Sequence, residues 1–144
     1  MRSHPRHGFT LIELLIAMAV LAILAVAALP AFQESIARAR RGQVQAGLLE
    51  DAAYMQHYYA SHDAFTGTPP PQLPSARTPR TGAVNYVITV SVPADRPTSF
   101  VLTAQRVGAM DADACGDFTY DSLAQRGLVP GTVAAGRDVQ ACWR

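Results

Sequence analysis

Glu13 is the only charged residue in the apolar run from Phe9 to Phe32, and it constrains what the chain can fold into more than any other residue. From Leu14 to Phe32 there are nineteen residues without a formal charge. As an α-helix they extend roughly 28 Å, close to the ~30 Å hydrocarbon thickness of a bilayer. Such a segment can span a membrane. Glu13 lies at its N-terminal edge, where a carboxylate costs less than the ~2.5 to 3.5 kcal/mol assigned to a charge at the bilayer centre. A carboxylate there with no partner in its own segment needs one from elsewhere, which marks it as a functional candidate.

Arg2 and Arg6, with His4 and His7, precede the span, and the first basic residues after it are Arg38, Arg40 and Arg41. The positive-inside rule then favours a cytoplasmic N-terminus, with everything beyond Phe32 on the far side. A secretory signal peptide cut after Ala25-Val26-Ala27 is the alternative. The Glu near the start of the run and a helical pattern that continues past the supposed cut argue against it.

The charge balance is nearly neutral, with 12 basic and 11 acidic residues, so no electrostatic footprint for nucleic acid stands out. The head left after the N-terminal helix is small and buries a modest core, which a covalent staple would help. Cys115 and Cys142 both fall on the exported side, where an even pair in a small domain forms a disulfide; two free buried thiols are the other reading. Without a CxxC pair or a nearby His, they do not suggest zinc.

Beyond the span, Phe32, Ile36, Val44, Leu48, Ala52, Met55 and Tyr59 form an apolar stripe on one helical face, which predicts an amphipathic second half of the same helix laid against a small sheet. Pro30 predicts a bend or loosening near residues 26–30, and Gly42 and Gly47 weaken the helix further. The helix should end near Ser61-His62-Asp63. Thr66-Gly67-Thr68 and the prolines at 69, 70, 71, 74 and 79 then predict a connecting loop without regular sheet, with Pro69-Pro70-Pro71 as a stiff connector. Alternation at Val84, Tyr86, Ile88, Val90 and Val92, a turn at residues 93–97, and alternation at Phe100, Leu102 and Ala104 predict an antiparallel hairpin. A third strand around Asp117 to Asp121 uses Phe118 and Tyr120, and the rest of the tail reads as loop closed by Cys142-Trp143-Arg144.

Catalytic chemistry is hard to build from these residues. His57 and His62 are five apart, fall on different helix faces and have no paired nucleophile, so no catalytic residue and no enzyme activity are expected. Asp111-Ala112-Asp113-Ala114-Cys115-Gly116 imitates the start of a calcium loop, but Cys115 and Ser122 stand where oxygen ligands belong, so no metal or other cofactor is expected. Arg38, Arg40 and Arg41 suit lipid headgroups, acidic neighbours in an assembly or, less readily, DNA phosphates. Arg77, Arg80, Arg96 and Arg106 are scattered head candidates for DNA.

Gly8-Phe9-Thr10-Leu11-Ile12-Glu13 resembles the processing site of type IV prepilins, with Pro30 where that family has a helix-kinking proline. The tail Cys115-Gly116-Asp117-Phe118-Thr119-Tyr120-Asp121-Ser122, ending in Cys142-Trp143, resembles PilE-like minor pilins. The resemblance implies the α+β pilin fold: a long N-terminal helix, transmembrane then amphipathic, packed on a small antiparallel β-sheet. It implies a leader at 1–8, an assembly helix at 9–32, an amphipathic helix at 33–61, a Pro-rich loop at 62–82, and a sheet with disulfide-closed tail at 83–144. Cleavage after Gly8 and methylation of Phe9 by the prepilin peptidase would follow, with Glu13 and Pro30 serving assembly. The implied partners are other pilin subunits through the N-terminal helix, the inner-membrane assembly machinery, and lipid before assembly; DNA has no support in the charge pattern. The expected role is a subunit of a surface filament for twitching motility, adhesion or DNA uptake, anchored in the inner membrane with a periplasmic head before export. A type II secretion pseudopilin and a DNA-binding competence pilin are the alternatives.

Overall fold

The computed structural model describes residues 9–68 and 70–143, and the chain divides into two compact units, Met1–Ile36 and Ala37–Arg144. Residues 1–8, where the leader and Gly8 are expected, lie outside the described residues, as do Pro69 of the proline run and Arg144. Helix α1, Leu11–His62, is 52 residues long and continues through Pro30. By length and composition it is able to cross a membrane. Within the first unit the large apolar side chains of this helix, from Leu11 through Leu29 and Phe32 to Ile36, are all exposed.

The second unit carries a five-stranded sheet in the order β1-β2-β3-β4-β5, with every neighbouring pair antiparallel. The strands are β1 Arg77–Thr78, β2 Tyr86–Ser91, β3 Val101–Arg106, β4 Phe118–Asp121 and β5 Arg126–Leu128. A 3-10 turn at Gly108–Met110 and a short helix α2, Val139–Cys142, complete it. This is the expected α+β architecture. The stripe Val44, Leu48, Ala52 and Met55 on α1 shares one core with Tyr86, Ile88, Leu102, Ala104 and Phe118 from the sheet. Burying each large member contributes about 1.5 to 3 kcal/mol. Phe32 and Ile36, which continue the stripe in sequence, belong to the first unit and are exposed.

Two local readings need correction. The connecting loop holds an edge strand: Arg77 pairs with Val87 and Thr78 with Tyr86. Two residues show no alternation of their own, and the pairing is imposed by β2. The tail likewise holds β5, which pairs with β4 through Gly127 opposite Thr119, and α2, whose N-cap Asp138 accepts the Ala141 N–H at 2.7 Å. Gly47, expected to weaken the helix, is also a point of close approach. A Cβ there would stand 3.2 Å from Thr78 Oγ1 and 3.3 Å from both Ile88 Cδ1 and Ser75 Cβ.

On the sheet face turned from the core, Thr89, Thr103 and Thr119 lie directly opposite one another across three strands. That face follows from strand alternation, which sends Tyr86, Ile88, Leu102 and Ala104 inward and their neighbours outward.

Candidate functional site

Two regions carry the chemistry that the sequence singles out, and each lies within one unit. In the first, the exposed Phe9 precedes the helix and Gly8 lies outside the described residues. Thr10 Oγ1 accepts the Glu13 N–H at 3.3 Å, and the Thr10 carbonyl accepts the Leu14 N–H at 3.2 Å. Thr10 is therefore the N-cap, and Glu13 is the third helical residue of a Thr-x-x-Glu capping pattern. A carboxylate there also meets the partial positive charge of the free helix N–H groups. Thr10 escaped the sequence analysis, although its spacing to Glu13 is the signal that finds it.

In the second unit the disulfide joins Cys115 to Cys142 as expected, and α1 holds both of its flanks. Arg41 is only 5% exposed, and its Nε donates to both oxygens of Asp113, at 3.1 and 3.0 Å, while Nη2 donates to Oδ1. Asp113 Oδ2 also accepts the Cys115 N–H at 3.3 Å. Gln45, one turn along the helix, donates to the Cys142 carbonyl at 2.7 Å. Trp143 closes the tail, donating from Nε1 to the Gly127 carbonyl at 2.9 Å and meeting Phe118 edge to face. Arg126 lies 5.5 Å over the Trp143 ring.

The basic residues do not act as one group. Arg41 is turned inward against Asp113 and cannot serve with Arg38 as a headgroup or phosphate contact; the attraction of a buried carboxylate overrides the tendency of a long cation to stay solvated. Arg40 is half-buried, with Nη1 4.0 Å from Met110 Sδ, and Arg38 is exposed. On the head, Arg106 is held by Asp117, with Nε 3.7 Å from Oδ1, and donates from Nη1 to the Asp113 carbonyl. Arg80 pairs with Glu50 and Arg96 with Asp95. Arg77 is exposed on β1, and Arg126 and Arg137, overlooked as head cations, are exposed as well.

His57 and His62 are both exposed, and His62 stacks on Tyr58 at 4.0 Å. The aspartate that imitates a calcium ligand, Asp113, has its carboxylate engaged by Arg41 and the Cys115 amide. Among the described residues no group of three or more His, Cys, Asp or Glu is placed to hold a metal ion.

Titration behaviour concentrates where α1 meets the segment before β1. Hydrogen bonds from Ser75 and then Arg80 hold the Glu50 carboxyl below its ordinary value. Burial pushes its neighbour Asp51 the other way, up to about 6. Burial also raises the Tyr86 phenol.

Residues 30–119 match the family described as type IV minor pilin ComP, DNA uptake sequence receptor. Residues 3–29 match the prokaryotic N-terminal methylation motif. A fimbrial protein of Neisseria meningitidis serogroup B (strain ATCC BAA-335 / MC58) is 40% identical over 60 residues, which are 42% of this chain and 35% of that protein. The match thus spans about a third of the length of that curated relative. A type IV pilin from Shewanella oneidensis, known at high resolution, superposes with a TM-score of 0.46 at 22% identity, over 69% of this chain and 98% of that one.

Proposed function

This chain belongs to the type IV minor pilin ComP family, and from that membership we propose that it serves as a minor subunit of a type IV pilus whose head receives DNA. Before assembly the subunit sits in the inner membrane, N-terminus in the cytoplasm and head in the periplasm. Prepilin peptidase cuts after Gly8 and methylates Phe9, and the assembly machinery then draws the helix at 9–32 into the filament among the helices of other pilins.

One observation carries the assembly reading: the large apolar side chains of the helix between Leu11 and Phe32 are exposed, and Glu13, the one carboxylate in that stretch, stands at the helix start. Packing against like helices gains contact area at roughly 25 cal/mol per Å² when the surface leaves water, and less when it leaves lipid. Cleavage would put a new amine on Phe9, and Glu13 is suited to pair with that of a neighbouring subunit. Left apart in an apolar bundle, the two charges would cost several kcal/mol each. The pair would thereby set the register of an incoming subunit, while Pro30 removes one backbone donor and lets the helix adjust.

The DNA part of the proposal rests on the description of the family, together with Arg77, Arg126 and Arg137, which remain exposed on the head. Phosphate contacts by such side chains predict duplex binding that weakens steeply with salt.

The assembly test is Glu13→Val in the full-length chain, with processing confirmed by intact mass and the subunit quantified in sheared pili against the membrane pool. A processed variant that stays in the membrane supports the reading, and incorporation at the wild-type level refutes the assembly role. For DNA, fluorescence anisotropy of a labelled duplex with the full chain in detergent micelles should show salt-dependent binding, reduced in Arg77→Ala and Arg137→Ala. Absence of binding at low salt would refute the receptor role and leave the pilus subunit standing.

A further inference from the structure

Asp51 lies on α1, wholly buried. Its Oδ1 accepts the Ser75 backbone N–H at 2.7 Å, and its Oδ2 has no hydrogen-bond partner. The adjacent Glu50 accepts the Ser75 hydroxyl at 2.7 Å and the Arg80 guanidinium, which also donates to Ser75 Oγ at 3.1 Å. One turn earlier Gly47 lets Ser75 and Thr78 approach the helix closely. The same segment is tied to β2 by the Ile88 N–H, which donates to the Ala76 carbonyl at 2.9 Å. A short stretch of chain ending in Arg80 is therefore seated over a buried carboxylate that is only half satisfied.

A buried carboxylate oxygen with no donor is tolerable with a proton on the group and costly without one, because nothing replaces the water it has lost. The charged groups facing Asp51 do not reverse this. Glu50 on its own helix repels the ionised form, and Arg80, from the seated segment, only partly offsets that. Thr78 of β1 and Ile88 of β2 bring no charge. Lifting the segment gives the ionised oxygen access to water, and protonation removes that incentive.

We propose that Asp51 is a proton-operated latch on the segment Leu73–Arg80: protonated, it keeps the segment seated on α1; ionised, it lets the segment lift more readily, carrying Arg77 and Arg80 with it. The direction in which burial moves the Asp51 carboxyl agrees, since its titration falls in a mildly acidic range that a surface aspartate does not sense. The latch does not depend on what Arg77 and Arg80 contact.

Hydrogen exchange on the full chain in detergent micelles tests it, read at the amides of Ser75 and Ile88 and corrected for intrinsic exchange. Protection should be roughly tenfold higher at about pH 5 than at about pH 7.5, because the seated form holds the proton more tightly than the open one. Asp51→Asn should abolish that difference, whereas His57→Gln combined with His62→Gln should keep it. Protection that is independent of pH in the wild type, or a pH dependence that survives in Asp51→Asn, overturns the latch. Should Asp51→Asn fail to fold, the wild type decides: the loss of protection at Ser75 and Ile88 should follow the pH at which the Asp51 carboxyl carbon titrates by NMR, and a titration at the ordinary 3.8, or a loss of protection that does not follow the carboxyl, overturns the latch.

Discussion

Gln45 donates a hydrogen bond to the carbonyl of Cys142 at 2.7 Å, between residues 97 apart in sequence. One turn back on the same helix face, Arg41 grips Asp113, two residues before Cys115. Helix α1 thus holds each end of the disulfide loop by a polar contact that does not involve sulfur.

Breaking the Arg41–Asp113 pair from one side should be costly. Asp113→Ala takes the Asp113 carboxylate away from a buried guanidinium, and a loss of about 3 to 5 kcal/mol is expected. The double variant Arg41→Met with Asp113→Leu should recover much of that loss, because it removes both desolvated charges. Urea denaturation of each variant, followed by Trp143 fluorescence, checks the ordering.

Reducing the disulfide should weaken the head without releasing the tail outright. For the sequence separation of 27, chain entropy suggests a loss of up to roughly 3.5 kcal/mol. Gln45 and Arg41 should keep the reduced tail docked under native conditions. Thiol labelling should therefore be slow in the folded reduced protein and fast in denaturant, and fast labelling in both would show that the polar contacts hold nothing.

Gly116 has φ +68, and a Cβ there would fall 2.4 Å from Thr132 Oγ1 and 2.6 Å from the Thr132 carbonyl oxygen. Thr132 itself bonds the Asp117 N–H at 2.9 Å and cannot move away freely. Gly116→Ala should destabilise the head by about 1 to 3 kcal/mol through strain and displacement together. A melting temperature equal to that of the wild type would contradict this.

Stability against pH should pass through a maximum on the acid side. The folded state holds the Asp51 proton up to about 6 against an ordinary 3.8, so stability rises as pH falls through 6 and the gain is complete below 3.8. That gain amounts to roughly 3 kcal/mol. Glu50 acts oppositely: its pKa is lowered from 4.5, so its contribution is present above 4.5 and is lost as pH falls through the lower folded value. Denaturation midpoints should accordingly peak between these ranges, and Asp51→Asn should flatten only the descent toward neutral pH.

Much of the fold is legible in the sequence because it is written in local periods. Val44, Leu48, Ala52 and Met55 announce the buried helix face, and alternation at Tyr86 and Ile88, Leu102 and Ala104 announces the hairpin. The Gly8 to Glu13 motif and the paired cysteines likewise stand out without coordinates. What stayed hidden depends on residues distant in sequence. Nothing in Arg77-Thr78 signals a strand until Val87 and Tyr86 lie beside it, and Gly127 weakens the local case for β5.

The buried charges were hidden for the same reason. Arg41 reads as one of three solvated arginines, and only Asp113, 72 residues away, turns it inward. Asp51 reads as an ordinary polar residue beside the helix stripe; its burial follows from Ser75 and Thr78 closing over Gly47. Thr10 differs, because its capping partner is three residues away and its role was available to a purely local reading.

The shortness of the outer strands has a consequence for crowding. β1 has two residues and is followed at once by Pro79, which has no N–H to extend the ladder; β5 has three, and Trp143 occupies the Gly127 carbonyl. Long bare sheet margins recruit one another into continuous β-structure. Wherever many copies of this head are held side by side, such truncated and occupied margins let them remain neighbours without fusing.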